Sequence, residues 1–141
     1  MSQFKHLLDE GRIEKVREDK SKAKGLLKRS KSRFRNQQNR NINQDTAFEI
    51  LENIYESLRE ALEAGMSAEG YKSTDHVSTI AYAEEKLQLD NSQINKLHKF
   101  RKLRNESRYE AREITEKEAQ DIKEFAENIL QEIGEKVENK I

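Results

Sequence analysis

Residues 43–65 read NQDTAFEILENIYESLREALEAG, and within them Ala47, Leu51, Ile54, Tyr55, Leu58, Ala61 and Leu62 recur at steps of three and four. That period puts all seven on one face of a helix. Asn43 is a candidate N-cap, and Gly65 is the expected stop. The rest of the fold follows from what such a face has to pack against.

Downstream, Gly65–Lys72 (GMSAEGYK) is a short connection, and Ser73 is placed to cap a helix that turns Val77, Ile80, Ala81 and Leu87 inward. Asp90 followed by Gln93 has the form of a capping box, and Thr115-x-x-Glu118 repeats it with Ile114 and Ala119 set for a hydrophobic staple. Two more helices start there. The last carries Ala119, Ile122, Phe125, Ala126, Ile129, Leu130 and Ile133, and Gly134 is expected to begin its frayed end. Upstream, Phe4, Leu7, Leu8 and Gly11 share one stripe over residues 3–19, and Ala23, Leu26, Leu27, Ser30 and Phe34 share another. Asn36–Asn43 (NQQNRNIN) reads as a loop, because asparagine competes for its own backbone.

The composition agrees. The 141 residues include no proline, cysteine or tryptophan and five glycines, and 38% of them are Asp, Glu, Lys or Arg. Few helix breakers and abundant helix formers give an all-α fold. We expect a single domain over 1–141, an antiparallel bundle of four to five helices. Its core is residues 44–141, and residues 1–43 form a basic helical segment with the Asn-rich loop. Without cysteine there is no disulfide framework and no zinc-thiolate site, and His6, His76 and His98 lack metal-motif spacing. No metal and no cofactor are expected. No run is apolar enough to span a membrane and Met1–Glu10 has no leader-like apolar stretch, so the expectation is a cytoplasmic protein that does not engage membranes.

The net charge of zero hides an asymmetry. Residues 1–40 hold 13 basic and 5 acidic residues, residues 41–141 hold 14 and 22, and Lys20–Arg40 has nine basic residues and no acid. Lys28, Arg29, Arg33 and Arg35 of that segment are candidate phosphate contacts. The competing readings pack the segment against the acidic remainder of its own fold or of a partner subunit, or leave it as a disordered solvated arm.

Residues 90–112 (DNSQINKLHKFRKLRNESRYEAR) behave differently from the other helices, because past Ile94, Leu97, Phe100 and Leu103 the positions fill with polar groups. On an ideal helix His98, Asn105 and Tyr109 fall within about 40° of one another, flanked by Arg101 and Lys102. Arg104 lies about 140° from Tyr109 on the same helix. A single straight helix therefore does not bring the two together easily, whereas a two-fold axis beside it sets Arg104 of one subunit near Asn105 and Tyr109 of the other.

The string Arg104-Asn105-Glu106-Ser107-Arg108-Tyr109, the I-T-x-x-E-A helix start after it, and AGMSAEGYKSTDHVSTIAYAEE before it resemble the HEPN domains (higher eukaryotes and prokaryotes nucleotide-binding). The resemblance covers about residues 44–133. It implies a dimeric bundle of four or five helices, and in many members a metal-independent RNase acting through Arg-polar-x-x-x-His. Arg104 and Asn105 match the first two positions, and Tyr109 stands where the family has histidine. The resemblance also implies RNA or nucleotide as ligand, a homodimer, and a minimal nucleotidyltransferase as partner in a toxin–antitoxin pair.

The tyrosine changes the chemistry expected. Attack by a ribose 2′-oxygen needs a base active near pH 7, which suits histidine, near 6.5, and not tyrosine, near 10. If the chain cleaves RNA, Arg104 stabilises the charge developing at phosphorus, Asn105 orients the phosphate, and Tyr109 acts as acid or positioning donor. Arg101, Lys102 and Arg108 would hold phosphate beside them. His98, on the same stripe, is the candidate substitute base, which no family motif supports; the ordinary reading makes both His76 and His98 surface or boundary residues. The bland alternatives pair Arg104 with Glu110 or Glu113 and make the chain a non-catalytic helical interaction or dimerisation module. Gly-rich phosphate loops and hydrolase or zincin motifs are absent from the sequence.

Overall fold

The computed structural model describes residues 2–141 as six helices and a short two-stranded ribbon. In chain order these are α1 (Gln3–Asp9), β1 (Ile13–Lys15), α2 (Lys20–Gln38), α3 (Ala47–Glu69), β2 (Tyr71–Ser73), α4 (His76–Lys86), α5 (Asn91–Glu110) and α6 (Glu116–Glu138). It is a mostly helical bundle, in agreement with the all-α expectation. No helix among the described residues is long and apolar enough to cross a membrane.

The helix over residues 47–69 is the axis of the molecule, packing against α2, α4, α5 and α6. All seven residues of its apolar stripe are buried, and so are Ile50, Ala64, Met66 and Ala68. The stripe that α6 turns inward is likewise buried at Ala119, Ile122, Ala126, Ile129 and Ile133. Both capping boxes form: Asp90 accepts from the Gln93 amide and Thr115 from the Glu118 amide, and each third residue's side chain accepts from the cap's own N–H.

Several boundaries differ from the sequence reading. Gly65 does not end α3. The helix runs on to Gly70, which takes the left-handed conformation at φ 83° and caps it. A side chain at Gly70 would also meet the Val16 carbonyl oxygen at 2.6 Å. Gly134 does not fray α6 either, since it is buried and the helix continues to Glu138. The Asn-rich segment is helical to Gln38, and the loop begins only after it. Asn43 organises the turn before α3, its Oδ1 accepting from the amides of Asp45 and Thr46, but the N-cap position falls to Thr46. Asp75, not Ser73, caps α4, its carboxylate accepting from the Ser78 amide at 2.7 Å.

Residues 3–19 are not one helix. The chain turns at Gly11, φ 80°, and Ile13–Lys15 pairs antiparallel with Tyr71–Ser73, Ile13 opposite Ser73. Three-residue strands are too short to show an alternation, which is why the sequence conceals them.

Where Gly65 sits, α3 meets α4 closely. A Cβ there would lie 2.7 Å from the Tyr82 hydroxyl oxygen and 2.9 Å from a ring carbon. The Tyr82 ring has no room to yield, because it is fully buried between Phe4 and Tyr71 and its hydroxyl donates to Glu69. Gly65→Ala is therefore expected to destabilise the bundle by about 1–3 kcal/mol despite raising helix propensity, read as a lower denaturant midpoint; an unchanged or raised midpoint would contradict this packing.

Candidate functional site: an arginine-lined recess

The acidic residues of α3 recur at Glu49, Glu52, Glu56, Glu60 and Glu63, which an ideal helix gathers on one side. Each needs a cation. Arg40 of the loop after α2 reaches Glu49 at 2.9 Å. Arg33 of α2 forks onto Glu60 at 2.8 and 3.3 Å, and Arg59 bonds both Glu56 and Glu63 within α3. Arg108 of α5 lies 3.9 Å from Glu52, whose other oxygen accepts from the Ser107 hydroxyl.

Where α2, α3, α5 and the start of α4 come together they leave a recess of about 410 Å³, lined by Arg33, Arg59, Arg104, Arg108, His76 and the carboxylates of Glu52 and Glu56, with Asn53 beside them. Four guanidiniums face two carboxylates. Arg104 has no carboxylate within 4 Å among the described residues; its Nη1 donates to Asn105 Oδ1 at 3.2 Å. Three other recesses are as large or larger; one of them gathers Lys24, Lys28 and Lys31 beside Glu138, and the remaining two gather no such cluster of cations. One, between α5 and α6, is floored by Phe100 and Phe125. The other lies at the start of α3, where Arg112 is already paired with Glu106 and Glu118.

The ionisation states follow from this crowding. Burial works against the charge on Glu56, but the Arg59 hydrogen bond and charge, with Arg33 and Arg104 behind them, outweigh it and hold the carboxyl below its ordinary range. Glu63, the other carboxylate on Arg59, is pushed above its ordinary range by burial. His76 is the first residue of α4 and stacks on Tyr55, ring centroids 5.6 Å apart and planes 23° from parallel. Desolvation first, then the positive charges of Arg104, Arg59 and Arg101, push its imidazole down to about 4 against the opposing pull of Glu56. At neutral pH it is an uncharged ring among cations.

The predicted residues divide as follows. Arg33, Arg104 and Arg108 come together in the recess, and Asn105 holds Arg104 from its edge. The separation of Arg104 from Tyr109 is corrected. The guanidinium carbon of Arg104 stands 5.7 Å from the Tyr109 ring centroid within one chain, because the long arginine side chain spans an angle that the Cα positions alone do not. No second copy is needed to bring Arg104 to Asn105 and Tyr109, and Arg104 pairs with neither Glu110 nor Glu113. Tyr109 itself is 70% exposed, beside Lys102 and outside the recess. Arg101 is half-buried with its Nε bonded to nothing among the described residues.

From the basic segment, Arg29 approaches Glu60 only at 4.0 Å, Arg35 donates to Ser32, and Lys28 borders a separate hollow near Ile141. None of these three reaches the recess. Lys31 pairs with Glu138, so the packing of the basic segment against its own acidic fold holds for Arg33, Arg40 and Lys31. Sequence reasoning missed His76 and Arg59. His98, the substitute base, lies elsewhere, depressed by burial and by Arg101 and Lys102.

The chain matches no known family profile and no curated protein.

A histidine whose folded pKa is depressed adds stability above its unfolded value and loses it as the pH falls. Here the window runs from about 6.5 down to about 4. We expect unfolding free energy to fall across that window by on the order of 1–2 kcal/mol from this group, after allowing for solvent screening. His76→Gln should flatten that part of the profile in denaturant titrations at pH 4.5, 5.5 and 7, and an unchanged slope would show the imidazole not to be desolvated.

Proposed function

We propose that the chain is a HEPN-like helical domain that binds RNA or nucleotide phosphate through the recess formed by Arg33, Arg59, Arg104 and Arg108. The observation that carries this reading is the convergence of four guanidiniums from three helices on one concavity holding only two carboxylates. Arg33 and Arg59 are fixed by Glu60, Glu56 and Glu63, so they supply field and shape. Arg104, bonded only to the neutral Asn105, and Arg108, 3.9 Å from Glu52, are the ones less committed to carboxylates, and charge-assisted bonds from guanidinium to phosphate are the strong kind. Lys20, Lys24, Lys28 and Arg35 share one side of α2 without carboxylate partners among the described residues, a track along which a nucleic-acid backbone can run.

Within this reading the chain acts as a homodimer, and as the toxin component of a pair with a minimal nucleotidyltransferase. Metal-independent RNA cleavage is part of the same proposal, with Arg104 stabilising charge at phosphorus and Asn105 holding Arg104. Tyr109, out in solvent, serves as donor to a substrate that drapes over the helix.

A second reading, a non-catalytic interaction module, is favoured by one observation. Phe48 and Tyr109 are large aromatics, 46% and 70% exposed, and both border the end of the bundle where α3 begins and α5 ends.

Salt separates the two readings, since phosphate binding through several cations weakens steeply with ionic strength and an apolar interface does not. The parent is expected to bind labelled mixed-sequence RNA with a steep salt dependence. Arg104→Ala should weaken binding about ten- to hundredfold, the worth of one or two charge-assisted hydrogen bonds, without changing the unfolding midpoint by more than about 0.5 kcal/mol. In excess EDTA the parent should cleave the RNA and Arg104→Ala should not; binding that ignores both salt and Arg104 would leave the interaction module as the reading to keep.

A further inference from the structure

Three groups facing the recess have no close anionic partner among the described residues; the one acceptor of Arg104 is the neutral Asn105 Oδ1 at 3.2 Å. Arg104 has no carboxylate, and Arg108 stands 3.9 Å from its only one. The ring nitrogens of His76 have no hydrogen-bond partner among the described residues, although Tyr55 fixes the plane of the ring. Behind them Arg101 offers a buried Nε that is also unbonded. Two guanidiniums without a close carboxylate and a pre-oriented imidazole match a group with two charges and three terminal oxygens.

Resting on the phosphate-binding reading above, we propose that the recess selects a phosphate monoester, the terminal phosphate of a nucleotide or of an RNA end, over an internal diester, with His76 as the discriminating residue that takes up a proton as the dianion enters. A diester brings one charge and two free oxygens, so it leaves one of the three groups unanswered. A monoester, whose second ionisation lies near 6, brings up to two charges and three oxygens.

The proton follows from what surrounds the imidazole. Arg33 faces the recess from α2; Glu52, Tyr55, Glu56 and Arg59 from α3; Arg101, Arg104 and Arg108 lie on α5. Asp75 precedes His76 on its own helix and is engaged by Arg12 at 3.3 Å. Burial first, and the surrounding cations second, keep His76 neutral in the free protein. A dianion among them reverses the sign of the local field, and an imidazolium then donates to a phosphate oxygen where a neutral ring does so more weakly.

The test uses the whole chain with four probes: adenosine 5′-monophosphate, inorganic phosphate, the dinucleoside monophosphate ApA, and a short RNA with or without a 5′-phosphate. Calorimetry in two buffers of different ionisation enthalpy reads affinity and proton uptake, and the imidazole NMR signals of the parent read the titration of His76 directly. The expected result is that the nucleotide and inorganic phosphate bind at least tenfold more tightly than ApA, and that the 5′-phosphorylated RNA binds more tightly than its hydroxyl twin. The His76 titration should move up by more than one pH unit in the nucleotide complex. His76→Gln should bind the nucleotide without proton uptake and discriminate against ApA less than about threefold. ApA binding as tightly as the nucleotide, or a His76 titration unmoved by saturating nucleotide in the parent, overturns the proposal. If RNA then still binds in an Arg104-dependent way, only this inference fails; if nothing binds, the phosphate reading fails with it.

Discussion

The carboxylate of Glu60 is only 4% exposed, and a charge so buried has to be met by another charge or be neutralised. Arg33 meets it with a two-pronged hydrogen bond that also raises the pKa of the guanidinium. Removing one partner from a buried pair of this kind costs about 3–5 kcal/mol, because the other charge stays behind. The pair also fixes register. It ties α2 to α3 at one position along their lengths, next to the Ser30 hydroxyl that donates to the Ser57 carbonyl at 2.6 Å, whereas apolar contacts on the same faces would tolerate sliding.

The recess grows out of that same constraint. The acidic side of α3 attracts arginines from both neighbouring helices, and toward the Glu52–Glu56 end the number arriving exceeds the number of acids. Arg33 and Arg59 are spent on carboxylates, whereas Arg104 has none within 4 Å among the described residues and Arg108 reaches Glu52 only at 3.9 Å. A site assembled in this way needs no loop of special conformation. Its cations stand on helices, and His76 is fixed by the α4 cap that Asp75 forms and Arg12 supports.

Much of this was legible in the sequence, for physical reasons specific to each element. Helices α3 and α6 announce themselves through an uninterrupted period of three and four, and α5 and α6 through capping boxes that work locally. Gly65 and Gly134 misled because glycine has two uses, to end a helix or to let another element come close, and only the tertiary packing against Tyr82 or α2 tells them apart. The ribbon stayed hidden because its strands are short and lie 58 positions apart. Arg104 and Arg108 were legible from the string around them. His76 was not, since nothing in the residues near it indicates that Arg104 and Arg59 will close in from α5 and α3; the signal available was the Asp-His pair at a helix start, which is common and unspecific. Lys28 and Arg35 failed to join the recess because a helix presents only one side to its neighbour, and on α2 the recess falls to Arg33; Arg29 shares that side but stands one turn earlier and reaches Glu60 only at 4.0 Å.

The ring beneath His76 has an optical side. The chain contains no tryptophan, so its near-ultraviolet emission belongs to four tyrosines. Tyr82 is locked in the core with its hydroxyl on Glu69, and Tyr71 packs edge-on against Phe4. The other two each touch a residue that lines the recess: Tyr55 lies face to face with the His76 ring, and Tyr109 lies under the Arg104 guanidinium. Half of the intrinsic fluorophores thus report on the recess, and protonation of the stacked imidazole or withdrawal of the guanidinium registers as a change in quantum yield with no label attached.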